Sequence, residues 1–324
     1  MQITTLITGT SGMVGSALKR LYRDFPKHEN HILLTPDKDE LNLESKESVE
    51  KYFNLNKINR VFHAASKVGG IKANIDYPAD FITSNLNINS NIFEISKKYK
   101  VSRLIFFGSS CIYPKASKIP IREDSLMTGR LEETNSAYAV SKIAAIEQCR
   151  AFNKQYGCDF RVLMPTNLYG INDYYNEQKS HVIPALINKF FHANEESKES
   201  ITIWGSGNAI REFLHADDLA KASFHVMNID HDQFQDFMLS NSIYHLNVGS
   251  GYETSIRDLC LLLKELSNFK GKILFDKNMP DGVKIKTLSS KLINSLNWNA
   301  RISLKDGLTQ AYDWFQKNYP NIRT

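Results

Sequence analysis

The hydrophobic positions in the first half of the chain form short runs that alternate with longer amphipathic segments. The runs are rich in β-branched and aromatic residues, as strands are, and they read TTLITGT, HILLT, RVFHAAS, RLIFFGS and FRVLMP. The segments that follow Gly12, Ser45, Pro78 and Asn135 have the periodicity of helices. Strands and helices in alternation build a parallel sheet with helices on both faces. The pattern therefore predicts a doubly wound α/β fold with a parallel sheet.

Beyond residue 170 the pattern becomes less regular and predicts a second, smaller α/β domain. A polar loop, INDYYNEQKS, precedes a helix from about Val182 and a short strand, ITIWG. The segment from His215 to Met227 and the run YHLNVGS resemble returning pieces of the first domain. We expect residues 1–170 and about 212–256 to form the first domain, and about 171–211 and 257–324 to form the second. A ligand then belongs in the crevice between them, at the ends of the parallel strands.

Composition and charge exclude several classes of protein. The chain has 324 residues, of which 42% are hydrophobic and 23% charged, so it can bury a core of its own. No apolar run approaches the roughly 18 residues of a membrane span. The net charge of +5 is dispersed, which argues against a nucleic-acid partner. The four cysteines show no CxxC spacing, which argues against disulfides and a metal site. We expect a cytoplasmic protein with neither membrane nor nucleic-acid partners.

A glycine pattern after the first strand indicates a dinucleotide site. Gly9, Gly12 and Gly15 have GxxGxxG spacing and open a helix. Glycines at these positions allow a tight turn and a close approach of the backbone to a diphosphate, which then lies at the positive end of the helix. At the end of the second strand, Asp37 would suit the ribose hydroxyl of NAD and Lys38 the 2′-phosphate of NADP. Charge alone leaves this choice open.

Three further side chains suggest proton transfer. Tyr138 and Lys142 stand at i and i+4 of one predicted helix, where an ammonium favours the phenolate form of a nearby tyrosine. Ser109 precedes them by about thirty residues, at the end of a predicted strand. The stretch GSSCIYP adds Cys111, which by itself would read as a small buried hydrophobe.

The glycine turn, the serine and the YAVSK motif together resemble the extended short-chain dehydrogenase/reductase family over essentially the whole chain. Within that family the closer likeness is to a branch of bifunctional 3,5-epimerases and 4-reductases that act on GDP-4-keto-6-deoxy-D-mannose. The matching segments, in the same order as in that branch, are GMVGSA, KDELNL, AASKVGGI, YPADFI, GSSCIYP, YAVSKIA, MPTNLYG, SHVIPAL, WGSG, REFLHADDLA and MPDG. The resemblance implies a Rossmann-type fold, NADP(H) in preference to NAD(H), a GDP-linked 4-keto-6-deoxy sugar as substrate, and a homodimer.

The resemblance also assigns roles to residues of this chain. It makes Tyr138 the proton donor to the C4 oxygen, Lys142 the group that tunes its pKa and anchors the ribose, and Ser109 the hydroxyl that holds the ketone. Cys111 and His181 become the acid/base pair of the epimerisation. The implied cofactor-binding residues are Gly9, Thr10, Ser11, Gly12, Met13, Val14, Gly15, Lys38, Asn42, Leu43, Ala64, Ala65, Phe107, Gly108, Ser109, Lys142, Pro165, Asn167, Leu168 and His181. The implied substrate-binding residues are Asn167, Lys189, Trp204, Arg211 and Asp281.

In this assignment Cys111 acts as an acid/base group beside a ketone. A ketone at C4 acidifies the hydrogens at C3 and C5, because the carbanion left by either proton is delocalised as an enolate that Ser109 and Tyr138 can stabilise. Inversion removes a proton on one face of the ring and returns one on the other. A thiol and an imidazole, with ordinary pKa values of about 8.5 and 6.5, can exchange protons near neutral pH.

Departures from the branch keep other interpretations open. Ser11 and Lys38 stand where some members carry arginine, VKIK replaces TPRK after MPDG, and the INDYYNEQKS loop differs. The sugar could therefore be a related GDP-4-keto sugar, such as a 6-deoxy-heptose or a dideoxy sugar. A 4,6-dehydratase would need an acidic residue where Cys111 stands. An inactive dinucleotide-binding regulator would have lost Tyr138 or Lys142, and both are present.

Overall fold

The computed structural model describes residues 2–24, 31–176, 180–279 and 281–323, so parts of the INDYYNEQKS and MPDG stretches lie outside the described residues. The strands are β1 (Ile3–Thr8), β2 (His31–Leu34), β3 (Arg60–His63), β4 (Arg103–Phe107), β5 (Phe160–Pro165), β6 (Asn167–Tyr169), β7 (Ser200–Trp204), β8 (Ile210–His215), β9 (Leu246–Val248), β10 (Glu253–Ser255), β11 (Lys272–Asp276) and β12 (Ile285–Lys286). The helices are α1 (Met13–Asp24), α2 (Lys46–Asn56), α3 (Ile71–Asp76), α4 (Pro78–Lys98), α5 (Ser136–Tyr156), α6 (Val182–Glu195), α7 (Ala216–Asn228), α8 (His231–Ser240), α9 (Ile256–Leu266), α10 (Lys291–Ser295) and α11 (Leu304–Asn318).

A six-stranded sheet with the order β2-β1-β3-β4-β5-β9 forms the centre of the fold, and all of its pairings are parallel. Successive side chains of a strand point to opposite faces. In β1, Leu6 joins a core with α2, α4 and α5, whereas Ile7 joins a second core with α1 and α7. Both faces are therefore covered by helices. The predicted doubly wound fold and its first five strands are confirmed.

The remaining strands build smaller sheets beside the central one. Strand β8 pairs with β6, β10 and β12, and β7 pairs with β11 in parallel. A third core lies between α6, α9 and α11 and includes Phe190, Leu263 and Phe315. The predicted helix does begin at Val182. Because β9 belongs to the central sheet and β8 does not, the chain crosses between sheets in this region. The proposed division into two domains stays a prediction.

The parallel direction of the central strands places their carboxyl ends at one edge of the sheet. Strand β1 ends at Thr8, β3 at His63 and β4 at Phe107, directly before the glycine turn, Ala64 and the GSSCIYP stretch. Segments that are far apart in sequence therefore meet at this edge. Within the described ranges, none of the helices has the length and apolar character that a membrane-spanning segment needs.

Candidate active site

The glycine turn after β1 is shaped so that only glycine fits at two of its positions. Gly9 has φ of +72°, and a Cβ atom there would lie 2.8 Å from Ala65 Cα. A Cβ atom on Gly15, in the first turn of α1, would lie 2.2 Å from the Gly9 carbonyl oxygen. The Gly12 amide donates to the same oxygen at 3.0 Å. The turn therefore presses closely against α1 and the loop after β3, as the diphosphate site of a dinucleotide requires.

A buried polar chain holds this turn in place. The Ala65 amide donates to Thr8 Oγ1 at 3.1 Å, and the same hydroxyl lies 2.9 Å from His63 Nδ1. The other ring nitrogen of His63 lies 3.1 Å from Asn89 Oδ1, which can only accept. Burial, and then the nearby charge of Lys142, lower the pKa of His63 to about 3. The imidazole is therefore neutral; its Nδ1 accepts a hydrogen bond from the Thr8 hydroxyl, and its Nε2–H donates one to Asn89 Oδ1.

The loop after β2 exposes a cation, Lys38, between two aspartates, Asp37 and Asp39. Asp37 Oδ1 accepts from the amides of Asp39 and Glu40, both at 2.9 Å, so this carboxylate stabilises its own loop. The Lys38 side chain is exposed beside it. Asn42 and Leu43, which follow, are tied to α2 and α4 by their backbones.

The lysine of the YAVSK motif is buried under the sheet edge. Lys142 Nζ donates to the Phe107 carbonyl oxygen at 3.0 Å and lies 5.8 Å from the centre of the Tyr138 ring. Burial lowers the pKa of this ammonium to about 7. Both side chains project from α5 toward the end of β4. The sequence placed them on one helical face, and the structure brings that face to the strand that leads into Ser109.

Tyr138 lies among three other polar side chains. Burial raises the pKa of its phenol well above the ordinary value, Cys111 raises it further, and the hydroxyls of Ser109 and Ser66 lower it. The phenol therefore keeps its proton at neutral pH, which suits a proton donor. Because burial and these side chains set the pKa here, the assignment of Lys142 as the tuning group stays a prediction.

Ser109 and Cys111 are held together by a short 3₁₀ helix, Ser110–Ile112, that follows β4. Ser109 Oγ accepts from the Cys111 amide at 3.4 Å, which orients the serine hydroxyl over the turn that carries Cys111. Cys111 is partly accessible, whereas Ile112 next to it is fully buried in the core. The structure therefore brings Ser109, Cys111, Tyr138 and Lys142 together at the end of β4.

His181 stands apart from this group. It is the residue before α6, and its side chain is exposed to solvent. The surrounding protein nevertheless desolvates the ring, which lowers its pKa. Among the described residues it makes no hydrogen bond to Cys111 or Tyr138. Its place in the acid/base pair therefore stays a prediction.

Three of the five predicted substrate residues surround the WGSG turn after β7. Asp281 Oδ1 accepts from the Ser206 amide at 2.6 Å and Oδ2 from its hydroxyl at 2.7 Å, which lowers the pKa of this carboxyl. Arg211 Nη1 donates to the Val283 carbonyl oxygen at 2.6 Å and is attracted by Asp281. Trp204 is 66% exposed beside the turn. The turn thus carries an exposed aromatic ring, and the Arg211 guanidinium lies close enough to Asp281 to interact with it. The binding of a nucleoside diphosphate by these residues stays a prediction.

The other two predicted substrate residues have bonds to backbone. Asn167 Nδ2 donates to the Glu212 carbonyl oxygen at 2.9 Å, where β6 runs beside β8. Lys189, on α6, donates to the Thr202 carbonyl oxygen at 3.0 Å. Lys189 therefore lies near β7, whose last residue is Trp204.

The sequence analysis missed Ser66 and the supporting role of His63. Ser66 Oγ donates to Asn85 Oδ1 at 2.7 Å and also faces the Tyr138 phenol. The signal available in the sequence is its position directly after the small residues Ala64 and Ala65 that follow β3. His63 carries no such signal, because a histidine at the end of an apolar strand is usually a core residue.

Comparison with known proteins identifies the family. A sequence model of the NAD dependent epimerase/dehydratase family matches residues 5–239. The GDP-L-fucose synthase of Escherichia coli (strain K12) is 43% identical over 320 residues, 98% of either chain. A putative GDP-L-fucose synthase 2 of Arabidopsis thaliana is 45% identical over 312 residues, 96% of this chain and 91% of that relative. Among solved structures, a GDP-mannoheptose C4 reductase from Campylobacter jejuni with NADP bound is 34% identical with a TM-score of 0.85, and the match covers 97% of this chain and 98% of that one. The chain therefore belongs to the NAD dependent epimerase/dehydratase family of extended short-chain dehydrogenase/reductases, and its similarity within that family is to the GDP-L-fucose synthases.

Proposed function

We propose that this chain converts GDP-4-keto-6-deoxy-D-mannose to GDP-L-fucose, by epimerisation at C3 and C5 followed by NADPH-dependent reduction at C4. The observation that carries the proposal is the meeting of Ser109, Cys111 and Tyr138 at one point, beside the buried Lys142. At the end of β4, the hydroxyls of Ser109 and Tyr138 can hold a ketone oxygen by hydrogen bonds. The Cys111 thiol beside them can exchange a proton with a neighbouring carbon. Identity of 43% over nearly the full length to a GDP-L-fucose synthase supports the substrate.

The epimerase half uses the ketone as an electron sink. Ser109 and Tyr138 donate hydrogen bonds to the C4 oxygen and stabilise the negative charge that develops there when C3 or C5 loses its proton. The raised pKa of Tyr138 keeps its donor proton in place during this step. Cys111 exchanges a proton through Sγ on one face of the ring. The lowered pKa of His181 leaves a neutral imidazole that can accept a proton on the other face.

The reductase half uses the same oxygen. NADPH, when bound, supplies the hydride that reduces C4. Tyr138 then gives its phenolic proton to the C4 oxygen, while Ser109 keeps that oxygen in position. Lys142 lies where a charge beside the phenol and the ribose would stabilise the phenolate that is left.

The glycine turn and its surroundings fit the cofactor. The close contacts of Gly9 with Ala65 and of Gly15 with the Gly9 carbonyl oxygen hold the turn tightly against α1, so that its backbone can approach a diphosphate. Thr10, Ser11, Met13 and Val14 would border the diphosphate, and Lys38 would meet the 2′-phosphate. We therefore propose NADP(H) over NAD(H). A kcat/KM for NADH equal to that for NADPH would show that Lys38 is not a phosphate ligand.

A related GDP-4-keto sugar is the second candidate substrate. The solved GDP-mannoheptose C4 reductase aligns with 97% of this chain, and the VKIK and INDYYNEQKS stretches depart from the usual pattern beside the expected sugar pocket. Purified protein given NADPH and each substrate, followed by the absorbance of the reduced nicotinamide, separates the two. If the protein turns over a GDP-4-keto-6-deoxy-heptose and not GDP-4-keto-6-deoxy-D-mannose, the heptose derivative is its substrate.

Solvent-deuterium exchange tests the epimerase half alone. With oxidised NADP and GDP-4-keto-6-deoxy-D-mannose in D₂O, the wild-type protein should incorporate deuterium at C3 and C5. Cys111→Ser should slow this exchange by about 100-fold or more, because a general acid/base group is lost, and should bind NADPH as before. Cys158→Ser, at the far end of α5, is the matched control and should exchange normally. If Cys111→Ser incorporates deuterium at the wild-type rate, Cys111 is not an acid/base group of the epimerisation.

Substrate contacts, assembly and location complete the proposal. Arg211 and Lys189 would meet the diphosphate, Trp204 the base, and Asn167 and Asp281 the sugar and nucleoside. We propose a homodimer that packs α4 and α5 of two copies into a four-helix bundle, and a cytoplasmic location.

A further inference from the structure

The segment after α11 returns to the glycine turn at the start of the chain. The Tyr175 amide donates to the Arg323 carbonyl oxygen at 2.8 Å, and Ile322 packs against the core of α6, α9 and α11. Asn172, from the loop that Tyr175 belongs to, donates through Nδ2 to the Ser11 carbonyl oxygen at 3.0 Å. The segment is thus attached to the loop, and the loop to the turn.

This attachment brings a guanidinium to the turn. Arg323 Nη1 lies 3.9 Å from the position that a Cβ atom on Gly12 would occupy. The same nitrogen donates to the Asn172 carbonyl oxygen at 3.5 Å, which is a long and weak bond. The residue is exposed, and its charge also lowers the pKa of the nearby Asp173 carboxyl.

The glycine turn itself offers no cation. Its residues between β1 and α1 are glycine, threonine and serine. The guanidinium beside Gly12 therefore supplies the charge that the turn lacks. A planar fork of N–H donors is well suited to phosphate oxygens, which it can bind through two bonds at once.

We propose that Arg323 binds a phosphate of the dinucleotide at the glycine turn, so that the segment after the last helix forms one wall of the cofactor site. The inference rests on the proposed function only in taking the turn as a dinucleotide site. The ligand chemistry is a phosphate oxygen, which comes either from the diphosphate that NADH and NADPH share or from the 2′-phosphate that NADPH alone carries.

Cofactor binding without sugar tests the proposal. The dissociation constants of NADPH and NADH are measured by calorimetry for the wild-type chain, Arg323→Gln and Arg323→Lys. Because a charge-assisted bond is lost, Arg323→Gln should weaken NADPH by about tenfold. Arg323→Lys, which keeps the charge but not the fork, should weaken it less. If Arg323→Gln weakens NADH binding as much as NADPH binding, Arg323 binds the diphosphate that both share. If the dissociation constant of NADH is unchanged, Arg323 binds the 2′-phosphate of NADPH.

Two controls make the result decisive. Lys317→Gln removes an exposed cation from α11 and should leave both constants unchanged. The segment is attached through the Arg323 carbonyl oxygen, so Arg323→Gln should remain folded. Because the arginine charge also lowers the pKa of Asp173, thermal unfolding is compared at pH 5, where Asp173 is protonated in the folded protein, and there it should match the wild type. NADPH and NADH constants within twofold of the wild type in Arg323→Gln would overturn the inference. A wild-type chain that binds neither dinucleotide would instead refute the proposed function.

Discussion

Asp173→Asn should stabilise the protein more at high pH than at low pH. The Asp173 side chain is only 7% exposed, its Oδ1 accepts from the Tyr174 amide at 2.8 Å, and its Oδ2 has no hydrogen-bond partner among the described residues. Burial raises the pKa of this carboxyl from 3.8 to about 7, although the Tyr174 amide and Arg323 both lower it. Between these two pKa values the folded protein holds a proton that the unfolded chain has lost. The free energy of unfolding must therefore fall as the pH rises through this window.

The pKa shift sets the size of the effect. At pH 8, where Asp173 is ionised in both the folded and the unfolded state, the shift of about three pKa units lowers the free energy of unfolding by at most about 4 kcal/mol, since each unit is about 1.4 kcal/mol. At pH 5 the corresponding cost is about 1.5 kcal/mol, because the folded state is still protonated and the unfolded chain is about one unit above its pKa. The substitution removes this cost at both pH values. It also leaves a buried amide N–H unsatisfied, which destabilises equally at either pH, so the diagnostic quantity is the difference of about 2.5 kcal/mol.

Urea unfolding followed by circular dichroism at pH 5 and pH 8 measures this difference. Asp313→Asn, on the exposed side of α11, removes the same charge from the surface and should show no comparable pH dependence. If the stability change of Asp173→Asn is the same at both pH values, Asp173 is not a buried acid with a raised pKa, and the description of this loop is wrong.

Two further substitutions test how the glycine turn is built. Gly15→Ala should lower the free energy of unfolding by about 1–3 kcal/mol, because its Cβ atom would lie 2.2 Å from the Gly9 carbonyl oxygen. Gly12→Ala, whose Cβ atom would lie 3.3 Å from the same oxygen, should cost much less, and equal losses in urea unfolding would contradict the packing described. Thr8→Val should cost about 1–3 kcal/mol, because the Ala65 amide and His63 would lose their buried partner. Thr8→Ser keeps the hydroxyl and should cost less; a serine variant as unstable as the valine one would show that the hydroxyl is not the stabilising group.

The sequence predicted the central sheet and the group of polar side chains at the end of β4 because both follow from local patterns. Apolar runs mark strands that are buried on both faces, and the spacing of Tyr138 and Lys142 marks one face of a helix. Ser109 and Cys111 were predictable because the end of β4 places them at the edge where ligands bind. The resemblance to a known branch then assigned the chemistry.

What the sequence could not predict depends on contacts between distant segments. Nothing in the periodicity brings Arg323 to Gly12, which lie at opposite ends of the chain. The raised pKa of Asp173 arises from burial by neighbours that are remote in sequence. Ser66 faces Tyr138 only because β3 and α5 reach the same sheet edge. Strands β6, β10 and β12 have only two or three residues each, which is too short for a period-two signal.

The reacting side chains and the predicted substrate contacts lie on different parts of the fold. Ser109, Tyr138 and Lys142 follow β4 or project from α5, and both elements contribute to one core of the central sheet. Arg211, Trp204 and Asp281 belong instead to short strands and turns outside that sheet. If these residues have the roles proposed above, substitutions in the segments outside the central sheet should change which nucleotide sugar binds and leave Ser109, Tyr138 and Lys142 in place. Such a division would allow related proteins to bind different substrates while the same residues carry out the reaction.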